Sequence, residues 1–371
     1  MIDGMYSEPP TLARPTAPPA LTRILGVGSA TPPYSYTQKE VLDLFGFQDP
    51  ITRQVFRSPH IMKRHLILPE PDPNTGHIRR ESARALIEKF RRGALEMGWE
   101  AIRSTLDDSN CKAEDIDAIV CVTSTGFMVP GLSCLFIREF GLKTSCRRID
   151  VVGMGCNAGL NGLTALDGWA RQHPGQFGLL VCCEVNSAIY CHNDTPRDGI
   201  VNSLFSDGAA AIVVWADAGE TGSRLGPCIV DFESHMIPEE WGAMRFDWND
   251  KLACWQFYLS KNIPYMLGVH SATPVGNLLK RNGVRLRHID HWIIHTGGGA
   301  VIDAIKLKLG LTEHDVRHTR SVLRDFGNLS SGSFLFSYQR LLQESAIGPG
   351  EYGIMMTMGP GAQIETALLQ W

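Results

Sequence analysis

Short apolar runs alternate with stretches of helical spacing along most of the chain. "ALTRILGVGSATPP" (20–33) predicts a strand closed by glycine and proline. "TQKEVLDLFG" (37–46) and "ESARALIEKFRRGALEMGWEAIRSTL" (81–106) carry apolar residues every three to four positions and predict helices, the second being the longest candidate. Later apolar runs are short and separated by helical stretches, the pattern of parallel strands buried on both faces. The expectation is an α/β fold.

The pattern is written twice. "IDAIVCVTSTG" (116–126) has a counterpart in "IDHWIIHTGGG" (289–299) at an offset of 173 residues, and "PGQFGLLVCC" (174–183) in "PGEYGIMMTM" (349–358) at 175. A period this long is no solenoid repeat and predicts two related α/β halves. The expected division is a flexible Pro-rich leader over 1–21, an N-terminal half over 22–225 and a C-terminal half over 226–371.

Composition narrows the function classes. A chain of 371 residues, 44% hydrophobic and 20% charged, has the makeup of a soluble globular protein with a large core. Its formal charge is −4, and its one basic cluster, Arg53 to Arg64, is short; this argues against nucleic acid and suits a phosphate-bearing small molecule. No run of about eighteen apolar residues occurs and the leader has no apolar signal core, so the expected location is the cytoplasm, without a membrane contact. Several of the ten cysteines sit inside apolar runs such as "LLVCCEV", and no CxxC pair or His-rich partner suggests zinc. Neither a metal nor a redox cofactor is expected.

"IDVVGMGCNAGLNGL" (149–163) sets Cys156 between an apolar run and a helical stretch, with glycines at Gly153, Gly155 and Gly159. A free thiol, with a pKa of about 8.5, is a weak nucleophile at neutral pH unless a helix N-terminus or an imidazolium lowers it. "NAGLNGLTALDGWARQ" predicts a helix just after Cys156, and the glycines allow a sharp strand-to-helix turn. Taken alone, Cys156 reads as one more buried cysteine. The repeat changes that, because its offset carries Cys156 to Asn328 or a neighbour in "DFGNLSSGS", while His295 ends the second copy of the first strand. Thiol, imidazole and carboxamide are expected at comparable strand ends, with His295 as partner of a thiolate.

Two chemistries use these three groups. In a cysteine protease the amide orients the imidazole. In a decarboxylating condensing enzyme His and Asn donate to a thioester carbonyl and stabilise the enolate left when carbon dioxide departs. The duplicated architecture favours the second.

The motifs "GMGCNAG", "WIIHTGGGAVID", "GNLSSGSFLF" and "TMGPGAQIETALLQW" resemble, in this order, those of type III polyketide synthases, the chalcone synthase-like branch of the thiolase superfamily, from about residue 22 to the end. The resemblance implies a thiolase-like duplicated αβαβα fold in five layers, a catalytic triad of Cys156, His295 and Asn328, and a homodimer. It implies that Phe205 and Phe257 are gatekeepers and that Ile189, Ser330 and Pro360 belong to the cavity. The family's "GFGPG" is "TMGPG" (357–361) here. Ile51, Gln54 and Ser58 stand at its CoA-binding basic positions, leaving Arg53 and Arg57 beside them as the expected substitutes. Trp248 stands at a cavity glycine and Val129 at a methionine that crosses the dimer, which argues against a bulky aromatic starter.

Likeness to a bacterial branch in "VTSTGFMVPGLS" and "VRHTRSVLRDFGNLSSGSFLFSY" implies an acyltransferase using malonyl-CoA as starter and extender. Four units would condense and cyclise to a dihydroxyphenylacetyl thioester for antibiotic biosynthesis, with room for helper enzymes in aromatisation. A synthase of tetrahydroxynaphthalene, a resorcinol or a pyrone, a ketoacyl-ACP synthase, and an inactive structural subunit are the alternatives.

Overall fold

The computed structural model describes residues 20–217, 226–344 and 347–371. The expected leader lies, as far as residue 19, outside the described residues, as does 218–225 at the end of the expected N-terminal half.

In chain order, β1 (Thr22–Ala30) is followed by a short pair, β2 (Ser35–Thr37) and β3 (Lys63–His65), which brackets α1 (Gln38–Phe45) and α2 (Pro50–Val55). Next come α3 (Ala83–Ser109), β4 (Ile116–Thr123), α4 (Leu132–Phe140), β5 (Arg147–Val152), α5 (Ala158–Gln172), β6 (Phe177–Glu184), α6 (Pro196–Leu204) and β7 (Gly208–Ala216). Then follow β8 (Cys228–Met236), the hairpin β9 (Met244–Asn249) and β10 (Cys254–Leu259), α7 (Ile263–Arg281), β11 (Ile289–Ile294) and α8 (Gly299–Leu309). The last elements are α9 (Arg317–Phe326), α10 (Ser333–Gln343), β12 (Tyr352–Gly359) and β13 (Gln363–Gln370).

Local signals set several boundaries. Thr37 and Glu40 form a capping box ahead of α1, and left-handed Gly46 ends it. The Ser82 side chain accepts from the Ala85 N–H to start α3, and Asn110, at φ +52, closes it. The long helix read from the sequence is therefore one uninterrupted element.

The strands run in the order β11-β12-β13-β8-β1-β7-β6-β4-β5. Read outward from the centre, β1-β7-β6-β4 and β8-β13-β12-β11 repeat the same scheme. The first two pairings of each set are antiparallel and the third is parallel. The two sets join only at Thr22–Ile229 and Arg23–Cys228.

Alternate residues of each strand then sort into layers. Ile119 and Cys121 pack with Ala94 and Ile102 of α3, whereas Val120 and Val122 pack with Leu160 and Leu163 of α5. In the second half Ile293 and Met355 share that central layer with Leu335 and Tyr338 of α10. Ile294 and Met356 point the other way, into the layer of Leu278 (α7) and Ile302 (α8). Helix, sheet, paired helices, sheet, helices: this is the five-layered arrangement expected from the sequence. It buries α5 and α10 side by side at the centre, so both helix N-termini open at the same place.

Candidate active site

Two matching turns build the site. After β5 the chain turns tightly over Gly155–Asn157 and enters α5. Gly155 has φ +80, and a Cβ there would stand 2.3 Å from Pro360 Cδ, so glycine is what lets Pro360 back the turn. The second half repeats the turn at Ser330–Gly332 before α10, offset by 175 residues, with Ser330 at φ +53 in the place of Gly155. In this register Ser331, rather than Asn328, is the counterpart of Cys156; Asn328 lies opposite Gly153.

The Cys156 thiol is buried, with Sγ 3.5 Å from Ser330 Oγ. His295 leaves the end of β11, its N–H donating to Met356 O at 2.9 Å. Its Nδ1 is hydrogen-bonded to Ser333 Oγ, which also accepts from the Thr296 N–H at 3.2 Å. That hydroxyl can accept from Nδ1–H or donate to a bare Nδ1, so it holds the ring in place whichever nitrogen carries the proton.

Asn328 is fixed through its backbone and its carboxamide oxygen. Its N–H donates to Leu204 O and its carbonyl accepts from Ser206 N–H, both at 2.9 Å, and it bridges to Phe205. Its Oδ1 accepts from the Ser330 N–H at 2.8 Å. The side-chain NH2 is left as the donor available to a ligand.

These side chains open into one cavity of about 280 Å³, which Phe205 and Phe257 also line. The two rings meet edge to face, centroids 5.8 Å apart. Gly297 to Ala300 form another wall, where the first N–H groups of α8 have no side-chain cap. Cys156, His295 and Lys261 are the titratable residues on the lining, and the rest of the wall is largely apolar.

Burial works against charge on each catalytic candidate. It pushes Cys156 up to about 12, with the Ser330 hydrogen bond opposing, and it lowers His295 to about 3. Burial therefore opposes both members of the expected thiolate–imidazolium pair when each is taken singly. A thiolate here needs a compensating cation, and the neutral imidazole can become one by taking the proton.

Other candidates fall elsewhere. Ile189 lines a neighbouring cavity of about 300 Å³ with Thr125, Phe127, Phe246 and Trp255. Trp248 is half exposed, its ring against Trp255, and Val129 is 84% exposed. Arg53 Nη1 donates to Phe47 O at 3.1 Å, Arg57 is exposed, and neither lines the catalytic cavity. Sequence reasoning missed Lys261, although it lies in the stretch after Phe257. It also missed Glu184, fully buried behind the second turn, where it accepts from Ser331 Oγ, from Thr125 Oγ1 at 2.9 Å and from Ser124 N–H.

Comparison with known proteins matches this chain to the chalcone and stilbene synthases, N-terminal domain over residues 14–218 and C-terminal domain over 234–371. It is 49% identical over 361 residues to a 3,5-dihydroxyphenylacetyl-CoA synthase of Streptomyces toyocaensis, covering 97% of this chain and 92% of that one. It is 46% identical to a synthase of the same name from Amycolatopsis orientalis, covering 95% and 94%. Among solved structures, 1,3,6,8-tetrahydroxynaphthalene synthase of Streptomyces coelicolor, a bacterial type III polyketide synthase, superposes with a TM-score of 0.84 at 26% identity over 94% of this chain and 99% of that one.

Proposed function

Because this chain belongs to the chalcone and stilbene synthase family, whose members include type III polyketide synthases, we propose that it condenses malonyl-CoA into 3,5-dihydroxyphenylacetyl-CoA. The observation that carries the chemistry is that a thiol, an imidazole and a carboxamide NH2 open into one largely apolar cavity. The identity of 46–49% to synthases of that name, across more than nine-tenths of each chain, supports the product.

His295 takes and keeps the Cys156 proton as Sγ attacks the thioester of a malonyl-CoA starter; the new S–C bond forms, the bond to the CoA sulfur breaks, and CoA leaves as a thiolate that solvent protonates. A second malonyl-CoA then loses carbon dioxide. The negative charge left behind gathers on its thioester oxygen, where the Asn328 NH2 and a His295 N–H donate to it. The enolate carbon attacks the acyl-Cys156 carbonyl, Cys156 departs, and the lengthened chain remains on CoA for the next round. Four malonyl units supply the chain; the starter's own carboxylate also leaves as carbon dioxide, and the resulting eight-carbon chain closes by aldol condensation and aromatises with loss of water, a step at which helper enzymes can act. The reading draws on CoA thioesters alone and invokes no metal or other cofactor.

Phe205 and Phe257 would seat the incoming thioester, and the neighbouring cavity beside Ile189 gives the growing chain room. Lys261 is the one lysine or arginine on the catalytic lining, and we assign it to the CoA phosphates ahead of Arg53 and Arg57.

The working form is proposed to be a homodimer. β5 is an edge strand carrying Ile149 and Val152, each 44% exposed, and Phe127 is 78% exposed. A second copy covering this edge would set Val129 against its partner. No helix among the described residues is long and apolar enough to cross a membrane, and ten free cysteines suit the reducing cytoplasm proposed for the protein.

The test is incubation with malonyl-CoA as sole substrate, with products identified by mass spectrometry. A dihydroxyphenylacetyl thioester or its free acid is the expected product. Tetrahydroxynaphthalene or a pyrone would keep the reaction and replace the product, and unconsumed malonyl-CoA would overturn both.

A further inference from the structure

A second large cavity, of about 370 Å³, lies against the N-terminal end of α3 and shares no lining residue with the catalytic cavity. Cys191 and Cys254 both line it, with their sulfurs 3.3 Å apart and neither in a disulfide. Cys254 follows Ala253, whose φ of +43 is a left-handed backbone that disfavours a non-glycine residue. The strained turn of the β9–β10 hairpin thus ends with one thiol against the other. Cys183, by contrast, is fully buried and has no access to solvent.

Both thiols sit on segments that shape the catalytic cavity. Cys191 follows Tyr190, whose hydroxyl donates to Phe205 O. Cys254 begins β10, which carries Phe257. A bond between the two sulfurs would tie the Phe205 support to the Phe257 strand.

We propose that Cys191 and Cys254 form a reversible thiol–disulfide pair, oxidised by small hydroperoxides entering the second cavity. Cys254, the more exposed of the two, attacks the peroxide; its S–O bond forms, the O–O bond breaks, and the leaving oxygen departs as water or an alcohol after taking a proton. Cys191 then attacks the sulfenic sulfur, forming S–S while the S–O oxygen leaves as water. Two thiols lose two electrons and two protons, and the peroxide is reduced. Burial and the nearby Asp198 charge hold Cys191 protonated, and Arg80, on the same cavity wall, is the smaller opposing influence. A dithiol reverses the reaction.

The disulfide is expected to slow condensation, which rests on the synthase reading; its formation does not. Cys156→Ala protein is treated with hydrogen peroxide, free thiols are alkylated, and peptides are mapped. A dithiothreitol-sensitive link between the Cys191 and Cys254 peptides is expected, and its absence while other thiols oxidise would overturn the proposal whatever the enzyme makes. In wild type, with malonyl-CoA present to shield Cys156, peroxide should lower turnover by about tenfold, since misplacing reacting groups by about 1 Å can cost up to about a hundredfold. Dithiothreitol should restore it, and Cys254→Ser should show no reversible loss. A link that forms without changing turnover would overturn the tie to the catalytic cavity.

Discussion

The turns at Gly155–Asn157 and Ser330–Gly332 are one piece of geometry used twice, yet they carry different chemistry. Each begins with a left-handed residue, Gly155 at φ +80 and Ser330 at φ +53, and each runs straight into a central helix. In the first, the second residue is Cys156, on the cavity wall. In the second it is Ser331, which turns away from the cavity and donates to buried Glu184. The strand ends differ likewise: β11 leads to His295, where the matching position after β4's core is Val122. Duplication supplies a frame that brings two helix N-termini together, and the proposed reaction depends on the halves having diverged. In that proposal one half provides the nucleophile and the other the base and the donors.

If that division of labour holds, removing the nucleophile has the largest effect. Cys156→Ala should lower product formation from malonyl-CoA by more than about a thousandfold, as loss of a catalytic nucleophile does elsewhere. An unchanged melting temperature would show that the fold is intact, and residual synthesis at a wild-type rate would move the nucleophile to the other half.

His295→Gln comes next, read through the pH dependence of Cys156 alkylation by iodoacetamide. Burial disfavours the thiolate and pushes Cys156 up to about 12, so without the imidazole to take its proton, alkylation should need a higher pH than in wild type, past the roughly 8.5 of a free thiol. Identical profiles in the two proteins would remove His295 as the base. Ser330→Gly is the mildest change. It relieves the φ of +53 and deletes the Sγ–Oγ hydrogen bond, so alkylation should change by no more than about tenfold, the worth of one hydrogen bond.

Much of this frame was legible in the sequence, for physical reasons. β4, β6 and β12 lie within the sheet and β11 at its edge, and all four are largely buried on both faces, so their apolar runs keep the repeat in view. Of the three site residues only His295 ends such a strand; Cys156 follows the edge strand β5 and Asn328 follows α9, so the repeat offset and the glycine-flanked motifs, rather than a buried strand, bring these two into view. The repeat places the counterpart of Cys156 only as Asn328 or a neighbour, because the offset is 173 at one strand pair and 175 at the other; the turns fix it as Ser331. Arg53 and Arg57 were chosen by proximity in sequence, while Lys261 reaches the cavity through the turn between β10 and α7, which no local pattern announces. Glu184 was hidden inside "LLVCCEV", where a carboxylate satisfied by Ser124, Thr125 and Ser331 follows an ordinary apolar run.

The central claim, that the second half stabilises the enolate while the first holds the thiol, is tested most directly in one variant by two readouts. Asn328→Ala removes a cavity donor whose carboxamide oxygen otherwise holds the Ser330 N–H, and leaves Cys156 and His295 in place. Labelled carbon dioxide release from malonyl-CoA should fall by about a hundredfold or more, the usual effect of deleting one oxyanion donor, while Cys156 alkylation stays near the wild-type rate. Decarboxylation near the wild-type rate, with only the product's length altered, would contradict the account and leave Asn328 as a cavity wall.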